Sequence, residues 1–159
     1  MPREVEEWYQ TMSQGRYFED FEVGEEAMTA GRTVTETDIV NFAGITGDWN
    51  EIHTNKELAE RGMFKQRIAH GALIFSIATG LSVRLGQTAD TVLAFYGLDR
   101  LRFVKPTFIG DTVHVRQKVE SKSERDQSSG IVTMLNEVIN QRDEVVISYT
   151  AKVLLKRRS

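Results

Sequence analysis

The chain has no cysteine in its 159 residues, which excludes a disulfide framework, a thiolate zinc site and a cysteine nucleophile. Packing alone has to hold it together. It has no excess of either charge: 20 basic residues against 23 acidic ones give a net charge of -3, which predicts neither a polyanion-binding surface nor an acidic tail. Nucleic acid is therefore not an expected partner, and the one dense basic run, Lys156-Arg157-Arg158, reads as a solvated end. The longest uncharged stretch, Ile68 to Val83, falls short of the roughly 18 apolar residues of a membrane span. It also contains His70, Ser76 and Thr79, so no membrane association is expected. The segment Met1-Pro-Arg-Glu-Val-Glu-Glu is too acidic for a signal or transit peptide, and the expected location is cytoplasmic. There is no GxGxxG, no P-loop lysine and no GxSxG elbow, so nothing signals a dinucleotide, a nucleoside triphosphate or a nucleophilic serine at Ser76 or Ser82.

What is present fits a single domain over 1–159, with a leader segment over 1–16. Glu4 to Gly15 predicts a short leading helix, and Gly15, Gly24 and Gly31 then punctuate an extended segment ending at Thr33-Val34. Thr35-Glu-Thr-Asp38 before Ile39, Val40 and Phe42 is a capped helix start. Gly44 and Gly47 should interrupt that helix, leaving Asp48 to His53 in an irregular connection. Asn55 to Arg61 predicts a second brief helix stopped by Gly62. From Gly71 to Leu85 the side chains are apolar almost all round, so this helix should be buried on most of its circumference. Each large apolar side chain left exposed would forgo about 1.5–3 kcal/mol.

Extended runs follow, separated by turn signals at Gly110-Asp111, Ser121 to Gly130 and Gln141-Arg-Asp143. Val113, Val115 and Val119 alternate with His114, Arg116 and Lys118, which turns His114 to solvent. Val145, Ile147, Tyr149, Ala151, Val153 and Leu155 give a period of two over the last strand. Strands joined by tight turns make an antiparallel sheet, and one long buried helix beside it makes an α+β domain of two layers.

The chemistry concentrates in Gly47-Asp48-Trp49-Asn50-Glu51-Ile52-His53 and in Ala69-His70-Gly71. Asp48 and His53 would stand about 140° apart on a regular helix, so they converge only if the stretch between them loops, which Gly47 and Asn50 favour. A converging pair is an acid–base device; otherwise Asp48 is a turn residue and His53 an ordinary hydrogen-bonding histidine. Gly71 either lets a ligand carbonyl approach the free amides of the helix start or merely lets the chain turn. His70 either reaches the same pocket or packs. Two histidines and a carboxylate also invite a metal, but no HxxxH or HxH spacing supports one, and none is expected.

Phe42 to Ala59, read as FAGITGDWNEIHTNKELA, resembles the signature of the MaoC-like dehydratases, the family of the R-specific enoyl-CoA hydratases. Phe64-Lys-Gln-Arg-Ile-Ala-His70-Gly71-Ala-Leu and Phe103-Val-Lys-Pro106-Thr-Phe-Ile-Gly110-Asp111 resemble that family's next two landmarks, and the likeness runs from about Tyr17 to Leu155. It implies the hot-dog fold, a curved antiparallel β-sheet wrapped around a long central α-helix. It also implies a catalytic pair at Asp48 and His53, a backbone oxyanion donor at Gly71 and an orienting asparagine at Asn50. Thr79 stands where the family often has serine and lies about 12 Å along the helix from Gly71, which suits support of the catalytic loop better than contact with the oxyanion. Glu51 replaces the family's usual proline and is expected to point outward. The activity implied is interconversion of trans-2-enoyl-CoA and R-3-hydroxyacyl-CoA, with coenzyme A only as part of the acyl-CoA thioester substrate, no metal or redox cofactor, and a homodimer or higher homo-oligomer. The alternatives are an acyl-CoA thioesterase on the same fold and a non-catalytic acyl-thioester-binding subunit.

Overall fold

A computed structural model describes residues 15–158. The leading helix expected over Glu4 to Gly15 lies, but for its last residue, outside them. After a 3-10 turn at Phe18–Asp20 come two short strands, β1 (Glu26–Met28) and β2 (Arg32–Thr33), and the helix α1 (Glu36–Thr46). Two brief helices, α2 (Glu51–Thr54) and α3 (Lys56–Arg61), lead to the long helix α4 (Gly71–Val83). The strands β3 (Val92–Phe103), β4 (Thr112–Glu124), β5 (Ser129–Asn140) and β6 (Val145–Lys156) complete the chain.

The sheet is antiparallel and six-stranded, in the order β1-β4-β5-β6-β3 with β2 also on β4. The α+β expectation holds. Leu73, Ile74, Ile77, Ala78 and Leu81 of α4 pack on Val113 and Val115 of β4, Val138 of β5 and Ile147, Tyr149 and Ala151 of β6, which makes the main core. A second cluster, in which Phe18 and Phe21 cover Val119, Val132, Met134 and Leu155, closes the far end.

Five expectations need correction. α1 runs through Gly44 and stops only at Gly47, whose φ of 76° lets its N–H reach back to the Ala43 carbonyl. A helix-interior glycine costs roughly 1 kcal/mol against alanine. Burial of Ile39 and Ala43 and the reciprocal Thr35–Asp38 cap outweigh it. The irregular connection is correspondingly shorter, because Glu51 to Thr54 form a helical turn capped by the Asn50 side chain. α4 buries only one side: Ala72, Ser76, Gly80 and Val83 are exposed, since one chain's sheet covers one face of the helix. In β6 the alternation holds at Ile147, Tyr149, Ala151 and Leu155, but Val146, Thr150 and Leu154 are buried too. This strand lies inside the sheet and its back is partly covered, as where Arg100 donates to the Thr150 hydroxyl at 3.1 Å.

β4 also extends to Glu124, narrowing the turn expected over Ser121 to Gly130. Val113, Val115 and Val119 are buried as the pattern required, with His114 on the other face and half-buried.

Candidate active site

The loop that carries Asp48 is built by local hydrogen bonds. Thr46 Oγ1 donates to the Phe42 carbonyl at 2.7 Å and accepts from the Asp48 N–H at 3.2 Å, so the end of α1 fixes where Asp48 leaves the helix. Asp48 Oδ1 accepts from the Asn50 N–H at 3.3 Å, and Asn50 Oδ1 in turn accepts from Ile52 N–H at 3.2 Å, capping α2. Asn50 thus shapes the loop. Glu51 points outward, its carboxylate accepting from Asn55 Nδ2 at 2.9 Å.

α2 carries His53 inward, where it is buried. Its Nδ1 donates to the Ile68 carbonyl at 2.7 Å, which directs the Nε2 lone pair away from that partner. Burial is the main force holding the His53 pKa below its usual value, and the neighbouring His70 works in the same direction. The Ile68 carbonyl and the Asp48 charge oppose it. A neutral imidazole at neutral pH is a proton acceptor.

The segment before α4 is pinned from the opposite side. Ala69 N–H donates to the Thr107 carbonyl at 2.8 Å, and Ile68 bridges to Phe108. α4 therefore begins at a fixed point, with Gly71 at its first position, where a backbone N–H has no acceptor inside the helix and the helix dipole favours negative charge. A Cβ on Gly71 would stand 2.7 Å from the Phe103 ring, so only glycine fits under that ring without displacing it. His53 and Gly71 line one cavity of about 420 Å³, together with Phe64, Ile74, Phe103 and Lys105. Asp48 is not among the cavity's lining residues, but one of its carboxylate oxygens, a His53 ring nitrogen and a His70 ring nitrogen lie within 4.8 Å of one another.

His53 thus stands between Asp48, whose carboxylate lies near its ring, and Gly71, with which it shares the cavity, while Asn50 forms the loop. Thr79 donates to the Ser76 carbonyl at 2.8 Å and lines a second cavity, of about 190 Å³, toward the other end of α4. Residues the sequence did not mark are Ile68, whose carbonyl sets the His53 tautomer, and Phe103, which roofs Gly71. As for a metal, ligand atoms of Asp48, His53 and His70 lie within 4.8 Å of one another, close enough to share an ion, while His53 Nδ1 and His70 Nε2 are each taken by a main-chain carbonyl.

A pocket in the trench between a central helix and a curved antiparallel sheet is the setting of hot-dog proteins, and the architecture is that fold. A Mycobacterium tuberculosis protein with a double hotdog fold superposes with a TM-score of 0.80 at 22% identity, over 91% of this chain and 45% of that one. A monoamine oxidase regulatory protein from Archaeoglobus superposes with a TM-score of 0.88 at 38% identity, over 93% of this chain and 99% of that one. The MaoC like domain matches residues 20–141, and the chain belongs to the MaoC-like dehydratase family. Protein MaoC of Klebsiella aerogenes is 40% identical over 114 residues, 72% of this chain and 33% of that protein. An (R)-specific enoyl-CoA hydratase of Rhodospirillum rubrum is 42% identical over 97 residues, 61% of this chain and 65% of that one. The chain spans less than two thirds of the length of these two curated relatives. Among the described residues no helix is long and apolar enough to cross a membrane.

Proposed function

We propose that the protein is a hydratase that interconverts trans-2-enoyl-CoA and R-3-hydroxyacyl-CoA. The observation that carries this reading is the convergence of an Asp48 carboxylate oxygen and a His53 ring nitrogen within 4.8 Å, beside the cavity that His53 shares with the amide opening α4. The relative named as an R-specific hydratase supports the stereochemistry.

In the hydration direction a water molecule lies between Asp48 and His53 Nε2. Its oxygen bonds to C3 as Asp48 accepts one of its protons, and the pair returns a proton to C2, with His53 the partner in that transfer. Water supplies both the hydroxyl and the hydrogen, and both residues end in their starting states. The electron pair of the C2–C3 bond passes through the thioester oxygen, where the Gly71 N–H stabilises the enolate-like charge. By analogy with measured oxyanion donors this contact contributes about 2.7–4 kcal/mol. Coenzyme A enters only as part of the substrate, and the chemistry calls for no metal or redox group.

The same reading has a cytoplasmic homodimer as the smallest working assembly. Its support is the 12-residue strand β3, unpaired along one edge among the described residues, with Val92, Leu93, Phe95, Tyr96 and Phe103 exposed on it.

The test is addition of crotonyl-CoA to the purified protein, following loss of enoyl absorbance, the configuration of the product and free thiol. Loss of absorbance with an R-3-hydroxyacyl product and no thiol is the expected result. Thiol release would make the protein a thioesterase, and binding without turnover a non-catalytic subunit.

A further inference from the structure

We propose that His70 is a positioning residue of this site, holding Asp48 through its main chain and His53 through its ring face while it opens the helix that carries Gly71. The inference rests on the hydratase reading for its kinetic consequence, though not for its geometry. His70 is 2% exposed and reaches all three members of the site. Its Nε2 donates to the Asp48 carbonyl at 3.0 Å, across 22 residues of chain. Its ring stacks on His53 at 3.8 Å, and the ring of Phe42 of α1 packs against it at 5.1 Å, tilted by 55°. It is the residue preceding Gly71, so the plane of its own peptide bond aims the Gly71 N–H.

Packing alone does not account for this ring. Its Nδ1 is buried with no hydrogen-bond partner among the described residues, and a phenylalanine or leucine would fill the same space without stranding a polar atom. What the imidazole adds over a hydrocarbon is the bond to Asp48. That bond fixes the backbone of a residue whose carboxylate is otherwise exposed on a short loop. The stacked face fixes the plane of His53 about its other anchor, the Ile68 carbonyl, and so sets the direction of Nε2. The titratable and charged groups around His53 are Asp48 from the loop, His70 from the start of α4 and Lys105 from the facing wall of the cavity. Of these, His70 acts against a charge on His53.

The experiment compares H70F, which keeps a ring and loses the donor, with H70Q, which loses the ring and keeps a donor. A residue that only packs predicts that phenylalanine is the better replacement. Positioning predicts the reverse: H70Q within about threefold of wild type, and H70F down in kcat by on the order of 10–100-fold at nearly unchanged KM, the scale of a small misplacement of a catalytic group. In H70Q the acid limb of the kcat/KM profile also moves to higher pH, because the group opposing a charge on His53 is gone. H70F at wild-type kcat, with H70Q the poorer enzyme and its acid limb unmoved, would overturn the proposal. Should the wild-type protein leave crotonyl-CoA untouched, the hydratase reading fails separately. Titration of the His53 ring by NMR then decides alone: an upward shift in H70Q supports the contact and an unmoved ring refutes it. The same titration serves if H70F does not fold.

Discussion

The two ends of α4 each face a cavity between helix and sheet, and their polar groups are treated in opposite ways. At the C-terminal end, Ser82 donates to the Ala78 carbonyl at 2.9 Å and accepts from Gln117 Nε2 at 3.2 Å, and Gln117 also donates to Asn136 Oδ1 at 2.7 Å. The groups satisfy one another, and burial pushes the Tyr149 hydroxyl up to about 12. At the N-terminal end the Gly71 amide, His53 Nε2 and the second oxygen of Asp48 have no protein partner among the described residues. A closed polar network gives a cavity its shape and rigidity, whereas open donors and acceptors held on fixed backbone are prepared for a ligand. The difference sets apart two ends of a helix that both face cavities lined mainly by apolar side chains.

The comparison breaks most completely at Asp48. D48N keeps the loop's hydrogen-bond geometry but removes the base, and hydration of crotonyl-CoA should fall on the order of 10²–10⁴-fold with an unchanged thermal midpoint. G71A comes next. Its new Cβ, 2.7 Å from the Phe103 ring, displaces either the ring or the substrate oxygen. The loss in kcat/KM should approach the roughly 10²–10³-fold of a missing oxyanion donor. G71A/F103A, measured in the same assay, should regain part of it.

pH sharpens the contrast more gently. His53 has a pKa held below 6.5 in the folded chain, so the unfolded chain binds its proton first as pH falls. The stability tied to His53 is therefore complete above 6.5 and is lost as pH drops through the folded-state value; urea unfolding at a series of pH values, with H53Q as the flat control, measures it. The acid limb of activity should likewise lie below 6.5. The smallest effect belongs to the satisfied end. S82A should lower stability by about 1 kcal/mol in denaturant unfolding, the usual worth of one hydrogen bond. Crotonyl-CoA turnover should stay unchanged.

What the sequence disclosed and what it hid divide by range. The Thr35–Asp38 cap was legible because its partners are three residues apart and their chemistry is local. Gly47 and Asn50 favoured a turn that could bring Asp48 and His53 together, but it was the likeness to the MaoC-like dehydratases that singled them out as a pair. The burial of Val113, Val115 and Val119 followed from strand alternation. The stacking of His70 on His53 was not legible, since it depends on where α2 crosses the segment pinned by Thr107. Phe103 over Gly71 was hidden for the same reason, with β3 returning from the far side of the helix. Apolar periodicity also cannot say how many sides of a helix one sheet covers, which is why the exposed face of α4 was missed. The Gly44 error has another origin: a local propensity was overridden by packing at Ile39 and Ala43.

The ladder between β3 and β6 slips its register three times, between Val92 and Ala94, Phe95 and Gly97, and Asp99 and Arg102, and Arg100 adopts a left-handed φ of 53° at the third slip. Such irregularities bend and twist a rim, so a flat neighbour cannot lie along its whole length. Apolar though it is, the outer border of the molecule is consequently a poor template for fibrous growth. A point mutation that straightened Arg100 would be expected to show itself first as loss of solubility.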